Sequence, residues 1–352
     1  MIEMKELMKQ SLAQQVLEKG GRIEPLIIES KTTDGLGLCN PSIWHKPDTT
    51  KYLVNVRHVS YYLHHCEGDQ KFQTPWGPLN YVRPDDDPFL RTKNYICDFN
   101  LRNMKLTNPR EVNTNKFTKE PEWDFVGLED ARIVEWDGKM YMTGVRRYAP
   151  NGKGRMILSE IDVTSKGVKE IGRYVIDPPE GDKPFCEKNW MPIEDMPFHY
   201  VKWSNPIEVV KVDINKKWKN NPKKYRCPSQ YVYKGGDDEK MDLQLDPRGG
   251  SQIIKYGGEY MAVVHECDYW HNEKNDRDSH YYHRIMTWDR NWKLTGHSKP
   301  FKFMDGRIEF CCGMAPHPDA ENGGVYITFG FQDNSAYMIH VAKDHLNQLL
   351  NK

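Results

Sequence analysis

From Asn40 to Gly330 this chain repeats one theme. A polar residue opens a short apolar run, a turn follows, and a second apolar run closes the unit, with no helical period of any length before Lys343. Short runs punctuated by Gly, Pro, Asn and Asp are the signature of strands and hairpins. Five such units can be counted. The first joins Asn40-Pro41-Ser42-Ile43 to Tyr52–His58, and the second joins Glu129–Val134 to Met140–Val145 across Asp137-Gly138. The third runs from Lys188-Asn189-Trp190 to Trp203, and the fourth joins Gly250–Ile254 to Tyr260–Glu266 across Gly257-Gly258. The fifth joins Ile308-Glu309-Phe310 to Val325–Gly330 across Asn322-Gly323-Gly324.

Five sheet units in series, with starts roughly 55 to 90 residues apart, predict an all-β fold, a five-bladed β-propeller, in which radial repetition leaves only short, protected edges. The innermost strand of each blade lines the channel, so Asn40, Asp130, Asn189, Ser251 and Glu309 are expected to converge near the axis. A polar funnel of that kind suits a polyhydroxylated ligand. A doubly wound α/β protein would need helices alternating with the strands, and a β-sandwich would not explain why each unit opens on a polar residue.

The irregular spacing predicts long inter-blade insertions. The clearest spans Cys66 to Pro121, rich in Pro, Asp and Asn, and reads as a loop covering one face. Residues 1–30 read as an N-terminal helical extension, 31–342 as the catalytic propeller and 343–352 as a C-terminal helical tail. In the extension Met4, Leu7, Met8, Leu12 and Val16 recur at helical spacing. That stripe must be covered, either by the base of the propeller or by a second subunit. Blades already bury their own faces, which favours the subunit contact and a homo-oligomer.

Lys plus Arg equals Asp plus Glu at 50 each, so net charge calls for neither nucleic acid nor an anionic membrane. No stretch reaches the roughly 18 apolar residues of a membrane span, and no signal-peptide core is present. The 8 cysteines are scattered without framework spacing, which fits free thiols in a reducing compartment. The expectation is a soluble, cytoplasmic protein. The 10 Trp and 19 Tyr can serve a β core or stack on sugars.

Chemistry concentrates at Gly127-Leu128-Glu129-Asp130-Ala131-Arg132-Ile133, an acid pair beside an arginine at the mouth of a hairpin. Glycosyl transfer needs an acid or base near the anomeric carbon, and Asp130 is the first candidate, with Glu129 beside it. Glu266, Glu309 and Asp333 are further acids. The competing reading makes Asp130 and Arg132 an ordinary ion pair opening a strand. Basic residues cluster at the same edges: Arg57 and His58, Arg146 and Arg147, Lys188, Arg248, His283 and Arg284. Several converging on one pocket would hold phosphate or a phosphorylated donor, unless they only neutralise the acids. Asn40, Asn189, Trp190, His265, Glu266, Glu309 and Asp333 are the candidate sugar contacts. No metal-ligand spacing and no nucleotide-binding glycine motif appears, so neither metal nor cofactor is expected.

The same residues carry a family resemblance. Residues 127–133 resemble the Glu-Asp-Pro-Arg motif of glycoside hydrolase family 130, five-bladed propellers that include many inverting mannoside phosphorylases. Asn40-Pro41, Glu187-Lys188-Asn189-Trp190 and Gly330-Phe331-Gln332-Asp333 are similar to other motifs of that family, and the related glycosyltransferase family 108 shares the architecture. Tyr282-His283-Arg284, Phe301-Lys302-Phe303 and Ile308-Glu309-Phe310 also resemble propeller modules attached to some bacterial glycosyltransferases. The resemblance implies that Asp130 is the proton donor, acting through a sugar hydroxyl, and that Arg57, Arg147, Lys188 and His283 form a phosphate subsite. Ala131 replaces the motif's proline and removes a fixed φ beside Asp130. The expected activity is inverting transfer of a mannose-like sugar, with an oligosaccharide or sugar acceptor and inorganic phosphate or a sugar nucleotide as partners. Transferase and phosphorylase stay open, with a hydrolase or a non-catalytic glycan-binding propeller as rivals.

Overall fold

A computed structural model describes residues 7–28, 37–63, 89–118, 123–148, 151–214, 226–271, 277–319 and 323–352, with short backbone pairings between 72 and 82. Among the described residues the main pairings fall into five antiparallel groups of four strands. The first is Leu38–His45, Tyr52–Val59, Leu90–Asn100 and Lys105–Asn113. The second is Glu129–Trp136, Lys139–Arg147, Gly154–Thr164 and Gly167–Asp177. The third is Met191–Pro192, His199–Ser204, Ile207–Val212 and Arg226–Lys234. In the fourth, Arg248–Gly249 and Ile254–Tyr256 together take the first place, followed by Glu259–His271, Arg277–Trp288 and Leu294–His297. The fifth is Glu309–Pro316, Val325–Phe331 and Ser335–Val341, and its fourth strand, Arg22–Pro25, comes from the other end of the chain.

Two expectations are corrected here. The stretch 66–121 is not one loop, because 90–113 supplies the third and fourth strands of the first group; its remaining part from 66 to 88 lies outside the described side chains. Charged residues along Leu90–Asn100 mask a strand whose Tyr95, Ile96, Cys97 and Phe99 are buried. The extension 1–30 is likewise not separate, since Arg22 to Pro25 pair with His340 to Tyr337.

A helix at Leu12–Glu18 is closed at its start by a reciprocal capping box between Ser11 and Gln14. Leu12, Ala13 and Val16 are buried in one core cluster with Ile327, Ile339 and Leu346. Leu12 and Val16 of the apolar stripe are therefore covered by the chain itself, with Met8 packed against the same cluster, so the stripe does not call for a second subunit. Leu346 and Leu349 of the C-terminal helix Lys343–Leu349, and its C-cap Leu350, join the same cluster. Among the described residues no helix is long and apolar enough to cross a membrane.

The first strands of the groups meet. Ser42 Oγ donates to the Ala131 carbonyl (2.7 Å) and Trp136 Nε1 to that of Ile193 (2.9 Å). Ile193 bridges Ile253, and Thr328 Oγ1, from the second strand of the fifth group, donates to the Pro41 carbonyl (2.6 Å). Two longer side chains join groups that are not consecutive. Arg132 Nε donates to the Gly250 carbonyl (2.6 Å), and Gln252 Nε2 to that of Ile43. Both side chains are fully buried, so the place where the strands meet is filled by protein.

Candidate active site

Three of the polar residues that open the units, Asn40, Asp130 and Asn189, have a backbone reason to be there. Pairing shifts register between Cys39 and Ser42 and between Glu129 and Arg132, a bulge in each first strand. Inside these bulges Asn40 has φ 43° and Asp130 φ 51°, and Asn189, ahead of the third group, has φ 63°. Asn and Asp tolerate this left-handed region better than other side chains, and a bulge re-aims the residue it holds. Gly330 leaves room for the result, since a Cβ there would lie 1.9 Å from Asn40 Oδ1.

Asp130 Oδ1 accepts from Arg57 Nη1 and from Asn40 Nδ2, each at 2.8 Å. Asn40 Nδ2 also reaches Asp333 Oδ1 at 3.4 Å, and Glu129 Oε2 lies 3.9 Å from Arg57 Nη2. Arg57 is 4% exposed and is aimed from behind, donating through Nη2 to Tyr61 Oη (2.7 Å) and through Nε to Thr92 Oγ1 (3.4 Å). The side chains of Asp130 and Glu129 stay 16% and 26% exposed, so the pair can be reached from outside while its counter-charge is buried.

Environment splits the acid pair. Burial pushes the Asp130 carboxyl up, but the charge of Arg57, the Asn40 hydrogen bond, Arg132 and Lys188 outweigh it and hold the pKa below the ordinary 3.8. For Glu129 burial, joined by the charge of Asp130, outweighs Arg57, Lys188 and Arg147 and raises the pKa. The Lys188 ammonium is disfavoured by burial, yet Cys186, Tyr269, Asp130 and Glu129 lift its pKa. Asp130 is thus the ionised member and Glu129 the more readily protonated one.

Register places the other candidates at the same end of the groups. Arg57 pairs with Cys39, and His265 with Arg248, each at the start of a first strand; Arg147 lies two residues beyond Val145, the partner of Glu129. Arg147 packs against Phe125 and Phe185 at 5.4 and 5.7 Å from the ring centres. His265 Nδ1 bonds the Gly249 carbonyl (2.8 Å), its ring stacks on Tyr281, and burial pushes its pKa down to about 3. Asn189 is buried with its Oδ1 unpartnered. Asp333, at φ 50°, borders Asn40.

Other candidates are engaged inside the protein. His283 is fully buried at 4.7 Å from the Phe303 ring with neither ring nitrogen bonded, and burial holds its pKa well below 6.5. A neutral imidazole in an apolar cluster cannot supply the charge expected of a phosphate ligand. Arg284 is paired with buried Glu266, so each neutralises the other. Glu309 accepts from the backbone N–H groups of Phe303 (2.5 Å), Met304 (2.7 Å) and Gly306 (2.9 Å), a clamp on that loop. Trp190 is 1% exposed, with Nε1 donating to Glu187 (2.8 Å), so no ring face is offered to a sugar. His58 is buried edge-on to Tyr95. Tyr61 and Thr92, which aim Arg57, carried no sequence signal. Among the described residues no group of three His, Cys, Asp or Glu could hold a metal.

No family model matches the chain, and no curated protein matches it in sequence. Comparison with solved structures places the all-β fold. A protein of Bacteroides thetaiotaomicron VPI-5482 provisionally named a glycosidase is similar at a TM-score of 0.51 and 12% identity, over 87% of this chain and 87% of that one. A β-1,2-mannobiose phosphorylase from Listeria innocua gives a TM-score of 0.49 at 13% identity, over 93% of this chain and 96% of that one. A mannose phosphorylase from Leishmania mexicana gives 0.48 at 11%, over 94% and 92%. At these identities the likeness is one of fold.

Proposed function

We propose that the five groups are the blades of a five-bladed β-propeller, and that the chain catalyses inverting glycosyl transfer of a mannose-like sugar between a sugar acceptor and phosphate or a phosphorylated donor. The observation that carries this reading is the Arg57–Asp130–Asn40 cluster, an ionised carboxylate with its counter-charge buried behind it and Lys188 beside it. In the transfer direction the acceptor hydroxyl attacks the anomeric carbon as the bond to the phosphate oxygen breaks. The hydroxyl proton passes to Asp130, through a neighbouring sugar hydroxyl as the motif resemblance implies, and the phosphate leaves with the bonding electrons. Lys188 and Arg147 stabilise its charge. In reverse, Asp130 returns the proton to the departing sugar oxygen. Asp130 is held ionised, as the receiving role requires before the sugar binds.

The test is a screen of sugar 1-phosphates and nucleotide sugars against oligosaccharide acceptors. Phosphate release assigns a phosphorylase acting in the synthetic direction, and nucleotide release a transferase. Release of reducing sugar with water alone assigns a hydrolase. Sugar binding without turnover of any donor overturns the catalytic reading in favour of a glycan-binding module.

A further inference from the structure

The cleft between the first and second groups holds a cavity of about 220 Å³ that glycosyl transfer at Asp130 does not use. Lys93 and Asn94 line it from one side and Arg146 and Ser159 from the other, with the Gly127-Leu128 segment between them. Arg146 is half-buried, and among the described residues its guanidinium makes no hydrogen bond and no ion pair. Glu170, the acid whose charge acts on it, is 3% exposed and already committed. It accepts from Ser159 Oγ at 2.6 Å and from Arg173 Nε and Nη2 at 2.8 and 2.5 Å. Glu170 is thus committed to Arg173, while Lys93 is matched by Glu111 at 3.3 Å. Burial and the Arg173 charge, against Glu170, push the Arg146 pKa down to about 10, so the charge is destabilised but present at neutral pH. A half-buried cation without a counter-ion is costly unless an anion completes it.

We propose that this cavity is a second anion site that takes a phosphoryl dianion, either inorganic phosphate or the phosphate of a sugar phosphate, held by the planar fork of Arg146. The site lies behind the catalytic loop. Thr92 lines the cavity and its hydroxyl accepts from Arg57 Nε (3.4 Å), while Asn94 Nδ2 donates to the Leu128 carbonyl (2.9 Å). An anion here would stiffen both the aim of Arg57 and the backbone that presents Glu129 and Asp130. The inference does not depend on the reaction assigned to Asp130.

Calorimetric titration of inorganic phosphate into the full chain, R146M and K188A tests it. Wild type should show a class of sites that survives K188A and is weakened in R146M by about ten- to a hundredfold, the value of hydrogen bonds to a charged group; R146K, which keeps the charge, should weaken it less. Titration with glucose 6-phosphate separates the sources, because a site for sugar phosphates binds it more tightly than phosphate. Phosphate binding identical in R146M and wild type would overturn the proposal. Should R146M fail to fold, wild-type crystals grown with tungstate decide: a heavy atom at Arg146 supports the site, and an empty cavity at saturating tungstate ends it.

Discussion

Arg57, from the second strand of the first group, donates Nη1 to Asp130 Oδ1 at 2.8 Å, while Tyr61 and Thr92 hold its other nitrogens. Two stretches 73 residues apart therefore share one ion pair whose cation is buried and whose anion is open. Its consequence appears in acid. The folded pKa of Asp130 is depressed below 3.8, so the unfolded chain binds more protons there. The pair's stabilisation is in full force above the unfolded value and is lost as pH falls through the folded one. Arg57→Met should lift the Asp130 pKa, read by carboxyl NMR, and flatten the part of the acid limb below pH 3.8. It should cost about 3 kcal/mol, the low end for breaking a buried pair because Asp130 is partly exposed. An Asp130 pKa unchanged in Arg57→Met would show that the pair does not control it.

His283 gives a prediction of opposite sign. Its ring nitrogens are unbonded among Phe301 and Phe303, and its folded pKa lies well below 6.5. The unfolded chain binds the proton more readily, so stability falls as pH drops below 6.5. His283→Leu removes both the polar burial and the proton linkage. Denaturant titration should find the variant at least as stable as wild type at pH 7, by up to about 1–3 kcal/mol, the cost of an unsatisfied buried group, with a larger gain at pH 5. Its phosphate binding should be unaltered; a loss would return His283 to the phosphate subsite.

The repeat was legible partly because three of the five units open on a residue that accepts a left-handed backbone, Asn40, Asp130 and Asn189. The shared polar opening misleads about function. Ser251 and Glu309 open their units too, but Ser251 Oγ donates to the Gln252 carbonyl (2.8 Å) and Glu309 binds its own loop. Arg57 was visible as a basic residue at an edge; that it, rather than the adjacent Arg132, pairs with the Asp130 carboxylate depends on which strands become neighbours, and no local pattern encodes that. Arg132 instead donates to the Asp130 carbonyl (2.8 Å) and to Gly250. The strand Arg22–Pro25 was missed for a similar reason, since four residues beside a helix acquire meaning only when Ser335–Val341 offers an open edge.

The N-terminal helix yields a test of stability. Leu12 is fully buried in the core cluster shared with the fifth group and the C-terminal helix. Leu12→Ala should cost about 2–5 kcal/mol, the range for emptying a buried leucine site, and should lower the melting temperature at every protein concentration. A destabilisation that vanishes on dilution of the wild type to the same stability would point back to a subunit interface.

The acid pair itself is separated by two amide variants. Asp130 is ionised and hydrogen-bonded to Arg57 and Asn40, whereas burial raises the pKa of Glu129, whose nearest cation is 3.9 Å away. If Asp130 moves the proton, Asp130→Asn keeps the size of the group but can neither take nor return one. Turnover should fall by about 10²- to 10⁴-fold, the usual contribution of a positioned acid or base, while sugar affinity changes little. Glu129→Gln removes a charge that works against ionisation of Asp130, so the Asp130 pKa should fall further and the acid limb of the rate profile should move to lower pH. Should Glu129→Gln abolish turnover while Asp130→Asn leaves it near wild type, the proton is handled by the carboxyl with the raised pKa, and Asp130 serves to hold Arg57 and Asn40 in place.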